Sequence, residues 1–383
     1  MIYLLVLLYL IFFLIQYDVL QKKARFKFFY ITALLIFILV AGLRYCVGLD
    51  SMNYSDSYFA MPKWFELGTF DFSSSRYDFL WIIFCAFCKL FSNDYYFMQF
   101  IHATIINSAY FFIIYKFTKY RFTALFFYYI LGFLYLNTEI IRESLAIAVF
   151  LFAISAFYNK KWINYYVVTT ISILIHSSAI FTLFFPFLYK IKPNKYFAIS
   201  LAVSFFVCIL LWQNYEVFTK YFYFISDAER KVETYIVGGT VYNLNGIIFA
   251  VFGRVIVPII FIIYAKTNTF VIKHSPFLWL YILLGIFIAY NSVIFERFQN
   301  YLFFPFIFFL VDFFAQLYKQ QKLRLVKISL FFLLITVPVV YRYSGRESRL
   351  IDTYFYQRYF PYYSILDKQN VNEREKMHRD YKK

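Results

Sequence analysis

Ile141-Arg142-Glu143-Ser144-Leu145-Ala146-Ile147-Ala148-Val149-Phe150-Leu151-Phe152-Ala153-Ile154-Ser155-Ala156-Phe157-Tyr158 begins with a cation beside an acid and then carries no further charge. As a helix it is about 27 Å long, close to the roughly 30 Å hydrocarbon core of a bilayer. It reads as a membrane-spanning helix whose polar start lies at the membrane boundary. Similar apolar runs recur at 2–17, 28–43, 78–92, 96–116, 122–138, 163–189, 197–213, 246–265, 276–294, 298–318 and 325–341. Their number predicts an all-α polytopic integral membrane protein of roughly a dozen transmembrane helices, some of them broken or re-entrant. One membrane domain is expected over 1–341, interrupted by outer-face loops at 44–77 and 214–245 and followed by a basic polar tail at 342–383.

Composition agrees. The 383 residues are 62% hydrophobic, 26% aromatic and 15% charged, whereas soluble chains are roughly 45–50% apolar and about 25% charged. Soluble enzymes, disordered chains and secreted disulfide scaffolds are excluded. The net charge of +17 would raise the question of nucleic acid in a soluble protein, but here the basic residues sit between apolar runs. They fit retention at membrane boundaries beside anionic lipid, and no nucleic-acid partner is expected. Cys46, Cys85, Cys88 and Cys208 lie in or beside apolar stretches, and the one C-x-x-C pair is a weak metal or redox signal. No metal site and no cofactor are expected. The run Ile2 to Ile15 lacks a basic leader and a cleavage site, so it reads as a retained first helix.

Basic clusters at Lys22 to Arg25, Lys116 to Arg121, Lys160-Lys161, Lys190 to Lys195, Lys266 to Lys273 and Lys319 to Lys327 read as cytoplasmic. Parity then fails between 27 and 116 and again between 161 and 190, so each interval should hold a re-entrant or broken element. His176-Ser177-Ser178, midway through 163–189, is the expected break. On this topology the 44–77 loop, the 139–143 corner, His176, the 214–245 loop and the Glu296-Arg297 corner share the outer face. For the tail the basic count points to the cytoplasmic side and the helix count to the outer one.

Four clusters carry chemistry. In Gly42-Leu43-Arg44-Tyr45-Cys46-Val47-Gly48-Leu49-Asp50, followed by Tyr54, two of only ten glycines bracket an arginine. They suggest close backbone approach or a turn with positive φ. Arg44 either ends a helix and pairs with Asp50 or presents its planar fork to phosphate or carboxylate oxygens. In Asn137-Thr138-Glu139-Ile140-Ile141-Arg142-Glu143, Glu139 and Arg142 are read as helical neighbours at i, i+3. A cation at a helix N-terminus opposes the dipole and calls for an anion, either these glutamates or a ligand phosphate. His176 is an ionisable residue deep in an apolar run, suited to donating to a phosphate, accepting a proton, or bonding across helices; His102 reads as packing. Phe295-Glu296-Arg297-Phe298-Gln299-Asn300-Tyr301 places Arg297, Asn300 and Tyr301 on one helical face, and Arg254 adds another cation at membrane depth. Each intramembrane arginine costs roughly 2.5–3.5 kcal/mol to insert, so several together call for a polyanion or matched acids. No P-loop, H-E-x-x-H or G-x-S-x-G is present, which removes support for ATP-driven transport, zinc proteolysis and serine-esterase chemistry.

The pattern G-L-R-Y-x-V-G-x-D-x-x-x-Y at 42–54, R-x-x-x-A at 142–146, I-H-S-S-A-I at 175–180 and Arg297-Phe298-x-x-Tyr301 together resemble the EpsG family, which is similar to the Wzy-type polysaccharide polymerases. Ser75-Arg76-Tyr77-Asp78 departs from the family pattern of an acidic residue before Gly-Phe. The resemblance implies a multi-pass protein of the bacterial inner (cytoplasmic) membrane with its active face outward. It would polymerise undecaprenyl-pyrophosphate-linked oligosaccharide repeat units in exopolysaccharide, capsule or O-antigen synthesis. Membrane lipids and the flippase and chain-length regulator of the same pathway would be its partners. On this reading Arg44, Tyr54, Arg142, Glu143, Arg254, Arg297 and Tyr301 bind substrate and pyrophosphate, with Asp50 and His176 as the catalytic pair. Two other activities stay open: a transporter of lipid-linked or free polysaccharide, and a membrane acyltransferase that decorates the glycan.

Overall fold

Inside hydrocarbon every backbone N–H and C=O must be satisfied within the protein, and an apolar chain without strand alternation meets that demand by coiling into helices. The computed structural model describes residues 1–188, 203, 244–264, 269–288, 292–320, 323–345, 354–366 and 375. The expected helix at 197–213 (Val203 apart), the loop from 214 to 243, Cys208 and the Lys190 to Lys195 cluster lie outside them. The chain is an all-α polytopic membrane protein. Among the described residues, four helical stretches are long and apolar enough to cross a bilayer: Ile2–Val19, Tyr95–Phe117, Ile141–Tyr158 and Arg324–Ser344. Shorter apolar helices accompany them.

The helices are α1 (Ile2–Phe13), α2 (Phe26–Gly42), α3 (Ser51–Ala60), α4 (Phe79–Lys89), α5 (Tyr95–Phe117), α6 (Arg121–Tyr128), α7 (Leu134–Thr138), α8 (Ile141–Tyr158), α9 (Trp162–Ile175) and α10 (Phe185–Leu188). Then come α11 (Leu244–Val251), α12 (Val257–Tyr264), α13 (Thr269–Ile288), α14 (Ser292–Asn300), α15 (Phe303–Lys319) and α16 (Arg324–Ser344). The run expected at 122–138 is α6 and α7 joined by a π-turn at Tyr129–Phe133, and 246–265 contains a π-turn at Phe252–Ile256. Such bulges interrupt the i→i−4 ladder without ending the helix.

Contacts divide the chain into two units, residues Met1–Ile180 with Arg342–Lys383, and Phe181–Tyr341. In the first, α8 packs on α9, α2 on α5, α5 on α8 and α1 on α6. The core is largely aromatic: Phe37 meets Phe111, Tyr128 and Phe133 with ring centroids 4.7–5.7 Å apart. Buried polar side chains are bonded to one another. Asn107 donates to Asn137 Oδ1 at 2.9 Å and accepts from Tyr128 at 3.0 Å, while Asp18 accepts from the Thr123 backbone N–H and hydroxyl at the start of α6. The outward faces are also apolar. On α1, Leu4, Leu5, Leu8 and Phe12 are exposed beside buried Val6 and Leu10, and α16 buries little besides Phe331 and Ile335. Water would not tolerate such surfaces, and lipid does.

Both expected irregular intervals hold short elements. Between 27 and 116 lies α4, whose 11 residues make a helix of about 16 Å, well short of a crossing. α9 stops at Ile175, where His176 turns to an extended backbone (φ −153°, ψ 120°), and a 3-10 turn follows from Ser177. The break at His176-Ser177-Ser178 is therefore present. Residues 354–366 fold back onto the loop after α2: the Tyr45 N–H donates to the Tyr363 carbonyl at 2.8 Å and the Ile365 N–H to the Leu43 carbonyl at 2.9 Å. This part of the tail thus lies against the 44–50 loop.

The two glycines of that loop have separate reasons. A Cβ on Gly42 would stand 2.7 Å from the Phe100 ring, so α2 and α5 meet there backbone to side chain. Gly48 has φ +95°, and a Cβ would lie 2.7 Å from Thr138 Cβ and 3.0 Å from its carbonyl oxygen. Gly48→Ala is expected to lower stability by about 2–4 kcal/mol through strain and overpacking. At Gly68, where nothing lies within 4 Å of the added atom, alanine should change stability by less than about 0.5 kcal/mol. Thermal unfolding of the purified proteins in detergent compares the two.

Candidate functional site

α2 ends at Gly42, and beyond it the chain must satisfy its carbonyls without helical partners. Gln99 of α5, itself buried, does this twice, donating from Nε2 to the carbonyls of Gly42 at 2.8 Å and Arg44 at 2.9 Å. Main-chain pairing of Arg44 with Ser364 holds the other edge, and the Gly48 N–H donates to the Arg358 carbonyl at 2.9 Å. The loop is thus clamped between α5 and the C-terminal segment.

That clamp buries Arg44 to 1% exposure. Its Nη1 donates to the Ala41 carbonyl, while Nε and Nη2 are buried with no hydrogen-bond partner among the described residues. Burial lowers its pKa from the ordinary guanidinium value, and Tyr95, Tyr362, Tyr3 and Glu139 are the nearby groups that favour the charge. Of the two alternatives for Arg44, pairing with Asp50 is not made. Asp50 stands before α3, partly exposed, and its Oδ1 accepts from Asn53 Nδ2 at 3.2 Å.

Glu139 is the acid at the centre of this cluster. Its Oε1 accepts from the Leu49 N–H at 3.0 Å, its Oε2 lies 3.8 Å from Arg358 Nη1, and its carbonyl accepts from the Tyr54 hydroxyl at 3.3 Å. The sequence paired it instead with Arg142 on one helix. The backbone bends at Ile140 (φ −117°, ψ 46°), so Glu139 precedes α8 and Arg142 opens it. Burial raises the Glu139 pKa most, with Asp50 adding to the rise; Arg358, the Leu49 N–H and Tyr359 oppose it.

Arg142 has its guanidinium 4.8 Å from the centre of the Tyr77 ring, and its Nε is buried without a hydrogen-bond partner among the described residues. Arg76 stands 4.8 Å from the same ring and donates to the Tyr77 hydroxyl at 2.5 Å and to Ser57 Oγ at 3.3 Å. The Ser75–Asp78 segment, which departs from the family pattern, therefore supplies the aromatic support of Arg142, at a strength of roughly 0.5–2 kcal/mol. Glu143 is buried in the first turn of α8. His102 Nε2–H donates to the Ile141 carbonyl at 2.7 Å, which ties α5 to the start of α8.

His176 is 5% exposed, and its Nδ1 accepts from Ser178 Oγ at 2.7 Å and from the Ser178 N–H at 3.3 Å. The neutral ring therefore carries its proton on Nε2. In the second unit Arg254, in the π-turn, donates to Glu296 and to Gln299 Oε1 at 3.0 Å, and Gln299 in turn donates to the Tyr281 carbonyl. Of the two alternatives for an intramembrane arginine, Arg254 takes the matched acid. Arg297 is partly exposed on α14, whereas Tyr301 lies past its end at Asn300 and is wholly buried. The single helical face expected for Arg297, Asn300 and Tyr301 is interrupted there.

The structure thus brings Arg44, Asp50 and Tyr54 together around Glu139, sets Arg142 on Tyr77, and holds Arg254 with Glu296. Arg358, Gln99, Tyr95 and Tyr77 belong to these arrangements and carry no sequence signal, since each is a common residue far in the chain from what it contacts. Among the described residues no cluster of three or more His, Cys, Asp or Glu side chains is arranged to hold a metal ion. The model of the EpsG family matches residues 27–364. No curated protein and no solved structure matches the chain.

Because burial holds the Glu139 carboxyl above the ordinary glutamate range, the native state binds more protons than the unfolded one once pH enters that range. Stability therefore falls as pH rises from about 4.5 until the folded carboxyl has also ionised. Glu139→Gln should flatten this slope, and Arg358→Ala should steepen it by removing the charge that opposes the rise. Unfolding midpoints measured between pH 4 and 8 for the three proteins check both expectations.

Proposed function

The chain belongs to the EpsG family, which in general terms points to polysaccharide polymerisation, and we propose that it joins undecaprenyl-pyrophosphate-linked oligosaccharide repeat units at the outer face of the bacterial inner membrane. The observation that carries the reading is Arg44, a guanidinium buried to 1% exposure with two nitrogens unpartnered among the described residues. A buried cation left in that condition is costly, and an anionic ligand with two or more oxygens would relieve it. A lipid pyrophosphate brings such oxygens on a chain that the apolar helices can accommodate. Arg142, with its buried Nε, is the second cation of the same unit.

The reaction is a glycosyl transfer. The hydroxyl oxygen of the acceptor sugar attacks the anomeric carbon of the donor glycan, the bond from that carbon to the phosphate oxygen breaks, and its electron pair leaves with the pyrophosphate. The acceptor proton passes to a base. Arg44 and Arg142 would stabilise the charge that grows on the leaving group, an electrostatic contribution that is often the largest in such sites. Asp50, partly exposed and accepting from the Asn53 side chain, would take the proton or orient the hydroxyl. Tyr54, held on the Glu139 carbonyl, keeps α3 and its Asp50 against the corner. His176, with Nε2–H as a donor, would assist at the pyrophosphate. Arg297 and Tyr301 complete the set of substrate contacts proposed for the second unit, and Arg254, bound to Glu296, would position α14. Glu143 would balance Arg142. Flippase and chain-length regulator are the expected pathway partners.

In cells lacking the protein, single repeat units should accumulate on lipid and wild-type protein should restore polymer. Arg44→Ala should lower polymerisation by about 100-fold or more, and Arg44→Lys, which keeps the charge and loses the fork, by about tenfold at equal expression. Lipid-linked glycan profiles read these outcomes. Normal polymer length with altered export or decoration would instead favour the transporter or the acyltransferase.

A further inference from the structure

Two guanidiniums meet at one tyrosine. Arg76 and Arg142 each stand 4.8 Å from the centre of the Tyr77 ring, so their charges are at most twice that distance apart. Like charges this close repel unless an anion accompanies them. Neither arginine forms an ion pair among the described residues, and Asp78 and Glu143, adjacent to Tyr77 and Arg142 in sequence, lie beyond ion-pair distance of both. Both side chains are open to a ligand. Arg76 is exposed, and Arg142 is partly exposed with Nε as its enclosed nitrogen. Arg76 gives the two N–H bonds of Nη2 to the Tyr77 hydroxyl at 2.5 Å and Ser57 Oγ at 3.3 Å, which leaves Nη1 and Nε to donate elsewhere. None of the five N–H bonds of Arg142 goes to a described residue. The ring between them is held in place: Ser57 of α3 donates to the Asn53 carbonyl and accepts from the Tyr77 hydroxyl, which in turn accepts from Arg76. An apolar surface adjoins this pair, since Phe79, which opens α4, and Phe87 and Phe91 further along are exposed. In this environment such side chains face lipid.

We propose that Arg76 and Arg142 are the two arms of one phosphate site, which holds the headgroup of an amphiphile whose chain lies against α4. Two cations without an acid call for an anion rich in oxygens, and guanidinium forks match phosphate oxygens bidentately. The exposed phenylalanines beside them call for an anion carried on an apolar chain. The identity of the amphiphile rests on the polymerase reading above: it is the lipid-linked substrate, and the group is its pyrophosphate. Oxygens on two phosphorus atoms let both forks engage at once. Arg76 is then a substrate-binding residue, and Tyr77 a positioning residue whose ring supports both cations and whose hydroxyl orients Arg76. An anionic phospholipid of the leaflet offers the same chemistry, and the two sources are separated by experiment.

Full-length protein in phosphatidylcholine nanodiscs is titrated calorimetrically with geranyl pyrophosphate. Arg76→Gln and Arg142→Gln should each weaken binding about tenfold or more, the effect of a lost charge-assisted contact. Tyr77→Leu should weaken it about three- to tenfold, while Tyr77→Phe, which keeps the ring, should stay closer to wild type. Because Arg76 is exposed, Arg76→Gln should leave the unfolding midpoint unchanged, which separates lost binding from lost structure. If wild type binds geranyl pyrophosphate and Arg76→Gln binds it equally well, the proposal is overturned while the polymerase reading stands. In parallel, nanodiscs containing phosphatidylglycerol are released into detergent, and native mass spectrometry counts the lipid that stays on the protein. If geranyl pyrophosphate does not bind, but phosphatidylglycerol stays on wild type and is lost from Arg76→Gln and Arg142→Gln, the phosphate site stands and the pyrophosphate reading falls. Binding of neither, or equal retention by wild type and both variants without geranyl pyrophosphate binding, overturns the proposal.

Discussion

Backbone that leaves the helical state in an apolar protein must find every hydrogen-bond partner nearby, and this constraint shapes the first unit around the loop after α2. Between Leu43 and Leu49 the chain takes partners from three distant places: the Gln99 side chain, the main chain of 358–365 and the Glu139 carboxylate. Gly48, at positive φ against Thr138, permits the turn that brings the loop to Glu139. The site is rigid because its backbone has no alternative set of partners.

The same environment sorts the charged residues. Arg254 donates to Glu296 and Gln299, and Glu139 faces Arg358 while accepting a backbone N–H. Arg142 rests on an aromatic ring. Arg44 is handled differently, since among the described residues its side chain bonds a carbonyl and two of its nitrogens are left over. Low dielectric makes a paired charge tolerable and an incompletely paired one expensive. That asymmetry sets Arg44, with two such nitrogens, and Arg142, with one, apart from the paired Arg254 and Arg358.

Much of this was legible in the sequence. The helical membrane fold follows from the apolar runs, and the two glycines at 42 and 48 announced close approach and positive φ, each realised at one of them. The irregular backbone at His176 was signalled by Ser177 and Ser178 within an overlong apolar segment. Pairings were less legible. Glu139 and Arg142 are three apart, and a helical reading joins them; one bend at Ile140 gives the acid to Leu49 and Arg358 instead. Tyr301 belonged to a presumed helical face until α14 ended one residue before it. Local spacing predicts contacts only while the helix continues.

The sequence by itself determined the solvent of this protein, its helical class, its family and the residues carrying unusual charge, because each of these depends on composition or on order within a few turns. Tertiary structure alone decided which charge meets which partner. Arg358 reaches Glu139 across about two hundred residues, and 363–365 pairs with 43–45 across more than three hundred. The burial of Arg44, Ser51 and Tyr95 with unpartnered atoms is likewise a product of packing from α3, α5 and the tail at once. Hydrogen-bond satisfaction depends on every neighbour in space, and no spacing along the chain encodes it.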